Sequence, residues 1–79
     1  MKIQIERYNN NDDHVVVVEI LGLNGKQVCE GDVLLLVETS KAVEEVLAPV
    51  GGIIKHNINL NDQLKVGVDC CEIVSESEI

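Results

Sequence analysis

From Lys2 to Tyr8 apolar and polar residues alternate around Ile3 and Ile5, and beyond the polar stretch Asn9-Asn10-Asn11-Asp12-Asp13 lies His14-Val15-Val16-Val17-Val18-Glu19-Ile20. Period-two alternation and β-branched runs between turn formers predict strands over both segments. Asn24-Gly25 is a strong hairpin dipeptide. Val33 to Val37 is apolar throughout, the pattern of a strand buried on both sides or lying near a sandwich core. Lys41 to Leu47 carries helix formers, but Val43, Val46 and the flanking turn residues favour a strand. Gly51-Gly52, Asn59 to Asp62, and Gly67 with Asp69 punctuate the remainder, and Ser75 to Ile79 is an acidic tail expected to fray.

The pattern repeats. A shift of thirty-six residues lays Val17-Val18 on Ile53-Ile54, Val28 on Leu64, Gly31 on Gly67, Leu34 on Cys70 and Val37 on Ile73. Gly25 falls on Asn61, and asparagine is the natural substitute where glycine serves a left-handed turn. Two similar four-strand halves, each with one apolar face, would bury those faces against each other as a two-sheet sandwich. The expected fold is therefore all-β, a single domain over residues 1–79 with its core at about 14–74.

Composition narrows the chemistry. With one aromatic residue, Tyr8, the core of so short a chain has to be aliphatic. Fourteen acidic against six basic side chains give a net charge of -8, which repels phosphate backbones and anionic membrane surfaces. A protein with a basic patch is the better partner. No apolar stretch approaches membrane-spanning length, and the first residues resemble neither a signal nor a transit peptide, so the expectation is a soluble, untargeted chain. Cys29, Cys70 and Cys71 lack CxxC spacing, and they read as reduced thiols in a cytosol-like compartment, Cys70 standing where the first half has Leu34. His14 and His56 lack partners at metal-ligand spacing and read as surface or half-buried imidazoles; no metal is expected. Asp32 and Asp62 read as turn residues, and Glu44 and Glu45 as solvated strand charges.

One stretch breaks the symmetry of the repeat. After Val37 the first half runs on through Glu38-Thr39-Ser40-Lys41-Ala42, so Lys41 sits at the joint between the halves. This segment resembles the Glu-Thr-Asp-Lys-Ala hairpin of the lipoyl domains of 2-oxo acid dehydrogenase complexes, within the biotinyl/lipoyl attachment family. Glu45-Val46-Leu47-Ala48-Pro49-Val50-Gly51-Gly52 resembles the same family's Glu-Val-x-Ala-Pro-x-x-Gly segment, and the duplicated glycine frame its two half-patterns. The likeness spans roughly residues 14 to 74. It implies a flattened barrel of two four-stranded antiparallel sheets, a barrel-sandwich hybrid, with a modifiable lysine at a hairpin tip.

The resemblance further implies a non-catalytic carrier with lipoate joined covalently to Lys41 by a lipoate ligase or lipoyl transferase. Its dithiolane would take an acyl group from a thiamin-dependent decarboxylase, pass it to coenzyme A at an acyltransferase and be reoxidised by the flavoprotein dihydrolipoyl dehydrogenase. The setting would be the cytoplasm, or the mitochondrial matrix in a eukaryote. By residue type alone Lys41 would be an ordinary solvated turn lysine. Glu38, Thr39, Ser40 and Ala42 stand either as recognition residues for ligase or partner enzyme, or as turn formers. Two alternatives keep the fold: a biotinyl carrier of a carboxylase or decarboxylase, and an unmodified interaction module. Biotinyl domains typically flank the lysine with methionines, whereas this chain has Ser40 and Ala42. Ser40 also departs from the dehydrogenase domains' usual aspartate, which leaves the partner complex open. The glycine cleavage H protein shares a Glu-Ser-x-Lys-Ala hairpin but is a longer chain. Nothing in the sequence resembles a nucleophile and base pair or a phosphate loop, so an enzyme in its own right is the weakest reading.

Overall fold

A computed structural model of the chain describes residues 1–75; of the acidic tail, residues 76–79 lie outside the described region. Eight strands form: β1 (Lys2–Gln4), β2 (His14–Ile20), β3 (Gln27–Val28), β4 (Val33–Glu38), β5 (Val43–Leu47), β6 (Gly52–Lys55), β7 (Gln63–Lys65) and β8 (Asp69–Val74). They build two four-stranded sheets, ordered β1-β8-β6-β3 and β5-β4-β2-β7, with every pairing antiparallel. The inner faces meet over an aliphatic core in which Ile5, Val15, Val17, Leu34, Leu35, Val37 and Ile54 are fully enclosed. Burying each such side chain contributes roughly 1.5–3 kcal/mol. The result is the expected all-β, flattened two-sheet sandwich.

The internal repeat holds to the level of single hydrogen bonds. Gly31 N–H donates to Ala48 O, and Gly67 N–H to Ile5 O, both at 2.8 Å. Gly25 N–H donates to Ile54 O, and Asn61 N–H to Val17 O, again both at 2.8 Å. Gly25, Gly31 and Gly67 have φ of 89°, 89° and 92°, and Asn61 has 70°, so the substitution of asparagine for glycine marks a shared left-handed turn. The repeat does not, however, give each half its own sheet. Each sheet takes two strands from either half, because β1 pairs with β8 while β5 pairs with β4. The halves exchange edge strands, and neither could close its core alone.

Three bulges correct the finer reading of the pattern. In β2, Val17 pairs with Val37 and Glu19 with Leu36, leaving Val18 as an extra residue. Val17 is therefore the counterpart of Ile54, not of Ile53, and the thirty-six-residue register resumes only from Glu19 onward. Symmetric bulges fall at Leu34 and Cys70, since Leu35 pairs with Val46 but Val33 with Leu47, and Cys71 pairs with Ile3 but Asp69 with Gln4. They turn two consecutive side chains inward. The run from Val33 to Val37 is thus one-sided, with Leu34, Leu35 and Val37 buried and Leu36 half-exposed on the outer face. Asn24-Gly25 does form a turn, closed by Lys26 N–H to Leu23 O at 2.9 Å. It joins β2 to β3 in the other sheet and makes no hairpin, because the chain crosses the sandwich there.

The bulge at Cys70 also places Cys70 and Cys71 side by side in the core, each behaving as the small hydrophobe the sequence implied. The hydrogen bond to Cys70 and burial push the Cys71 thiol up. Cys29 is exposed. A thiol reagent at neutral pH is expected to label Cys29 at once and the other two only at the rate of unfolding. Three equally fast thiols by intact mass would contradict this packing.

Candidate functional site

Lys41 stands at the tip of the β4–β5 hairpin, where Glu38 and Val43 are the last paired residues. Thr39 N–H donates to Ala42 O at 2.8 Å, which closes a four-residue turn around Ser40 and Lys41. Two-residue hairpin loops ordinarily require positive φ. Neither Ser40 nor Lys41 has it. The Thr39 hydroxyl substitutes for that geometry: it donates to Ala42 O at 3.0 Å and accepts from the amides of Lys41 and Ala42 at 3.2 and 3.1 Å. Thr39 is thus a turn former. Ser40, Lys41, Ala42 and Glu38 are all exposed.

A second support comes from a segment that the sequence marks only as a polar loop. Asp12 Oδ2 accepts from Ser40 N–H at 3.0 Å and from Ser40 Oγ–H at 2.8 Å. The same oxygen accepts from Asn9 Nδ2 at 2.7 Å. Asn9 Oδ1 in turn accepts the amides of Asn11 and Asp12, both at 2.9 Å, and Arg7 Nη1 donates to Asp12 O at 3.0 Å. The loop before β2 therefore braces the lysine turn from the side. An aspartate in place of Ser40 would set two carboxylates against each other, whereas serine supplies two donors.

These bonds hold the Asp12 carboxyl below its usual value, with Asn9 contributing most and Ser40 next. A folded pKa below the unfolded one means that the brace is complete above about pH 4, the ordinary aspartate range. It is lost as pH falls through the lower folded value. The Ser40 amide resonance is expected to titrate with a midpoint below about 3.9. In Asp12→Ala it should already sit near that acid position at neutral pH, with faster hydrogen exchange. A Ser40 amide indifferent to both changes would dissolve the brace.

What the turn leaves unengaged is the Lys41 ammonium. Its main-chain N–H is used in the turn, but among the described residues the side chain has no hydrogen-bond or ion-pair partner. The other sequence candidates are tied into structure. His56 hydrogen-bonds Gly22 O through Nε2 at 2.7 Å and accepts the Ile58 amide on Nδ1 at 3.2 Å. His14 Nδ1 lies 3.1 Å from Asp13 Oδ1. Asp32 and Asp62 accept the amides of Cys29 and Asn59, both at 2.8 Å, as turn residues do. Chemically the tip offers one exposed primary amine on a flexible stem, held by a fixed backbone and flanked by the small residues Ser40 and Ala42.

A family model described as Biotin_lipoyl, biotin-requiring enzyme, matches residues 10–73. The chain belongs to the biotinyl/lipoyl attachment family. Members carry lipoate or biotin covalently and are non-catalytic carrier domains. In sequence alone, no curated protein matches. In structure the chain is similar to the lipoyl domain of the 2-oxoglutarate dehydrogenase complex from Azotobacter vinelandii, with a TM-score of 0.77 at 23% identity, covering 94% of this chain and 95% of that one. An exposed, unpaired amine at a hairpin tip fits an amide-linked group of either kind. The Asp12 brace joins residues 28 apart, so no local motif could reveal it.

Proposed function

We propose that this domain is a swinging-arm carrier, lipoylated on Lys41, that moves acyl groups and reducing equivalents between the components of a 2-oxo acid dehydrogenase-type complex. The observation that carries the reading is the Lys41 ammonium, free at a turn whose shape is set by Thr39 and Asp12. An amide at Nζ removes the positive charge without breaking any bond of the turn. The lipoyl group supplies a dithiolane that takes up acyl groups and electrons. The protein's part is to present it, with Thr39 fixing the turn, Asp12 bracing Ser40, and the small Ser40 and Ala42 leaving room for an enzyme to enclose the arm.

Lipoate is favoured over biotin by these two flanking residues, which are not methionines, and by the likeness to a lipoyl domain. The partners in this reading are a lipoate ligase or lipoyl transferase, a thiamin-dependent decarboxylase, an acyltransferase and dihydrolipoyl dehydrogenase, each presenting basic groups to an acidic surface. Three unbridged cysteines suit a cytoplasmic or mitochondrial matrix setting. The test is intact mass after separate incubations with lipoate ligase plus lipoate and biotin ligase plus biotin, followed by peptide mapping. One lipoyl increment on the Lys41 peptide is expected. A biotinyl increment there would reassign the domain to carboxylation, and no increment on a folded chain would leave an interaction module.

A further inference from the structure

The outer face of the sheet that carries Lys41 holds a groove of about 620 Å³ lined chiefly by Val18, Leu23, Leu36, Val43 and Leu60. Leu23, Leu60 and Val43 are 63%, 57% and 51% exposed. Leaving such side chains in water forgoes burial that would stabilise the domain. The internal repeat supplies a control for whether the fold demands them. On the symmetry-related face Leu36 is replaced by Glu72, Ile20 by His56, Leu23 by Asn59, Leu60 by Asn24, and the rim residue Glu19 by Lys55. The buried positions of the two halves stay apolar, yet the positions of Leu36, Ile20, Leu23 and Leu60 are apolar beside Lys41 and polar on the other sheet, whose outward apolar residues are the half-buried cross-strand pair Ile53 and Val74. Val18, the extra residue of the β2 bulge, has no counterpart at all.

The groove begins at Val43, two residues beyond Lys41, and Leu36 lies diagonally next along the sheet, since Leu36 pairs with Glu45. At about 3.3 Å per residue, Leu36 is roughly 13 Å along the strand from Lys41. A lysine stem bearing a medium-length acyl chain extends about 15 Å at roughly 1.25 Å per bond. We infer that the acyl arm carried on Lys41 folds back along this groove when no partner holds it, packing its methylenes on Val43, Leu36 and Val18. The arm is uncharged, so the acidic rim at Glu19 and Glu45 does not oppose it. This inference rests on modification of Lys41 and adds a docked state to the free one. A docked arm is shielded from adventitious reductants and released by any enzyme that binds it more tightly.

The test compares the unmodified and ligase-lipoylated domain by methyl NMR, with intact mass recorded on the same samples. Expected are shifts of the Val43, Leu36 and Val18 methyls on lipoylation, and nuclear Overhauser contacts from them to the arm's methylenes. Leu36→Glu, copying the opposite face, should abolish these contacts. Leu23→Asn with Leu60→Asn, both at exposed positions that cannot endanger the core, should weaken them. Reduction of the dithiolane by a water-soluble phosphine should be several-fold slower in the parent than in the Leu36→Glu domain. A fully lipoylated sample with unmoved methyls, no contacts and equal reduction rates would overturn the docked state and leave the groove to a protein partner. Absence of the mass increment would overturn the carrier reading, and the docked arm with it.

Discussion

Gly52→Ala is expected to destabilise the domain by roughly 3 kcal/mol or more, the range of overpacking combined with backbone strain. Gly52 opens β6, paired to Val28 on one side, with Ile53 paired to Val74 on the other. Its φ of 151° is one that residues with a Cβ rarely adopt. A Cβ there would collide with the Val74 carbonyl oxygen and lie 2.8 Å from Ile73 Cγ2. Neither obstacle is the loose end of a flexible side chain, so relief requires β6 and β8 to part. A chain of this length has a total stability of about 4–12 kcal/mol at the usual per-residue range. Urea unfolding should show the midpoint falling steeply at an unchanged slope. Gly25→Asn is the matched control: nothing lies within 4 Å of its added Cβ, and Asn61 already occupies the symmetric place. That variant should stay within about 1 kcal/mol of the parent. A Gly52→Ala domain equally stable would mean that the β6–β8 contact is looser than its geometry.

The contrast between these two glycines also shows what the sequence can disclose. Gly25 was legible because asparagine replaces it in the repeat, and only a left-handed turn makes those two residues interchangeable. β2, β4, β6 and β8 were legible for the same reason, their pattern being written twice, whereas β1 and β5 were legible only through alternation and β-branched residues. Bulges were not. Within an unbroken apolar run such as Val33 to Val37, moving one residue between faces changes nothing in the pattern, so the inward turn of Leu34 and the outward one of Leu36 leave no trace. The exchange of edge strands was equally hidden, because a repeat records that two halves are alike and not which half a strand pairs with. The lysine turn was readable as a motif, through Glu38, Thr39, Ser40 and Ala42. Its brace was not, because Asp12 lies in a stretch of five polar residues, any of which serves a loop.

Lys41→Arg is expected to abolish the lipoyl increment completely while leaving the fold unchanged. The substitution tests chemistry apart from charge, since a guanidinium keeps the positive charge but is no substitute for the primary amine in the ligation. The turn draws only on the main-chain N–H of residue 41, which arginine retains, so stability should stay within about 0.5 kcal/mol of the parent. The expected loss is total because the other lysines are placed differently. Lys2 lies 3.9 Å from Asp69 and Lys65 pairs opposite His14 in the sheet. Lys55 is on a strand paired with Glu72, and the main chain at Lys26 is tied to Ile54 by a 3.0 Å bond. None of them tops a hairpin turn closed by a neighbouring hydroxyl. A ligase that reads the presented turn should therefore pass over four amines and take one. Retention of the increment in Lys41→Arg, with peptide mapping to another lysine, would show that the ligase reads exposure alone and would remove the turn and its Asp12 brace from recognition.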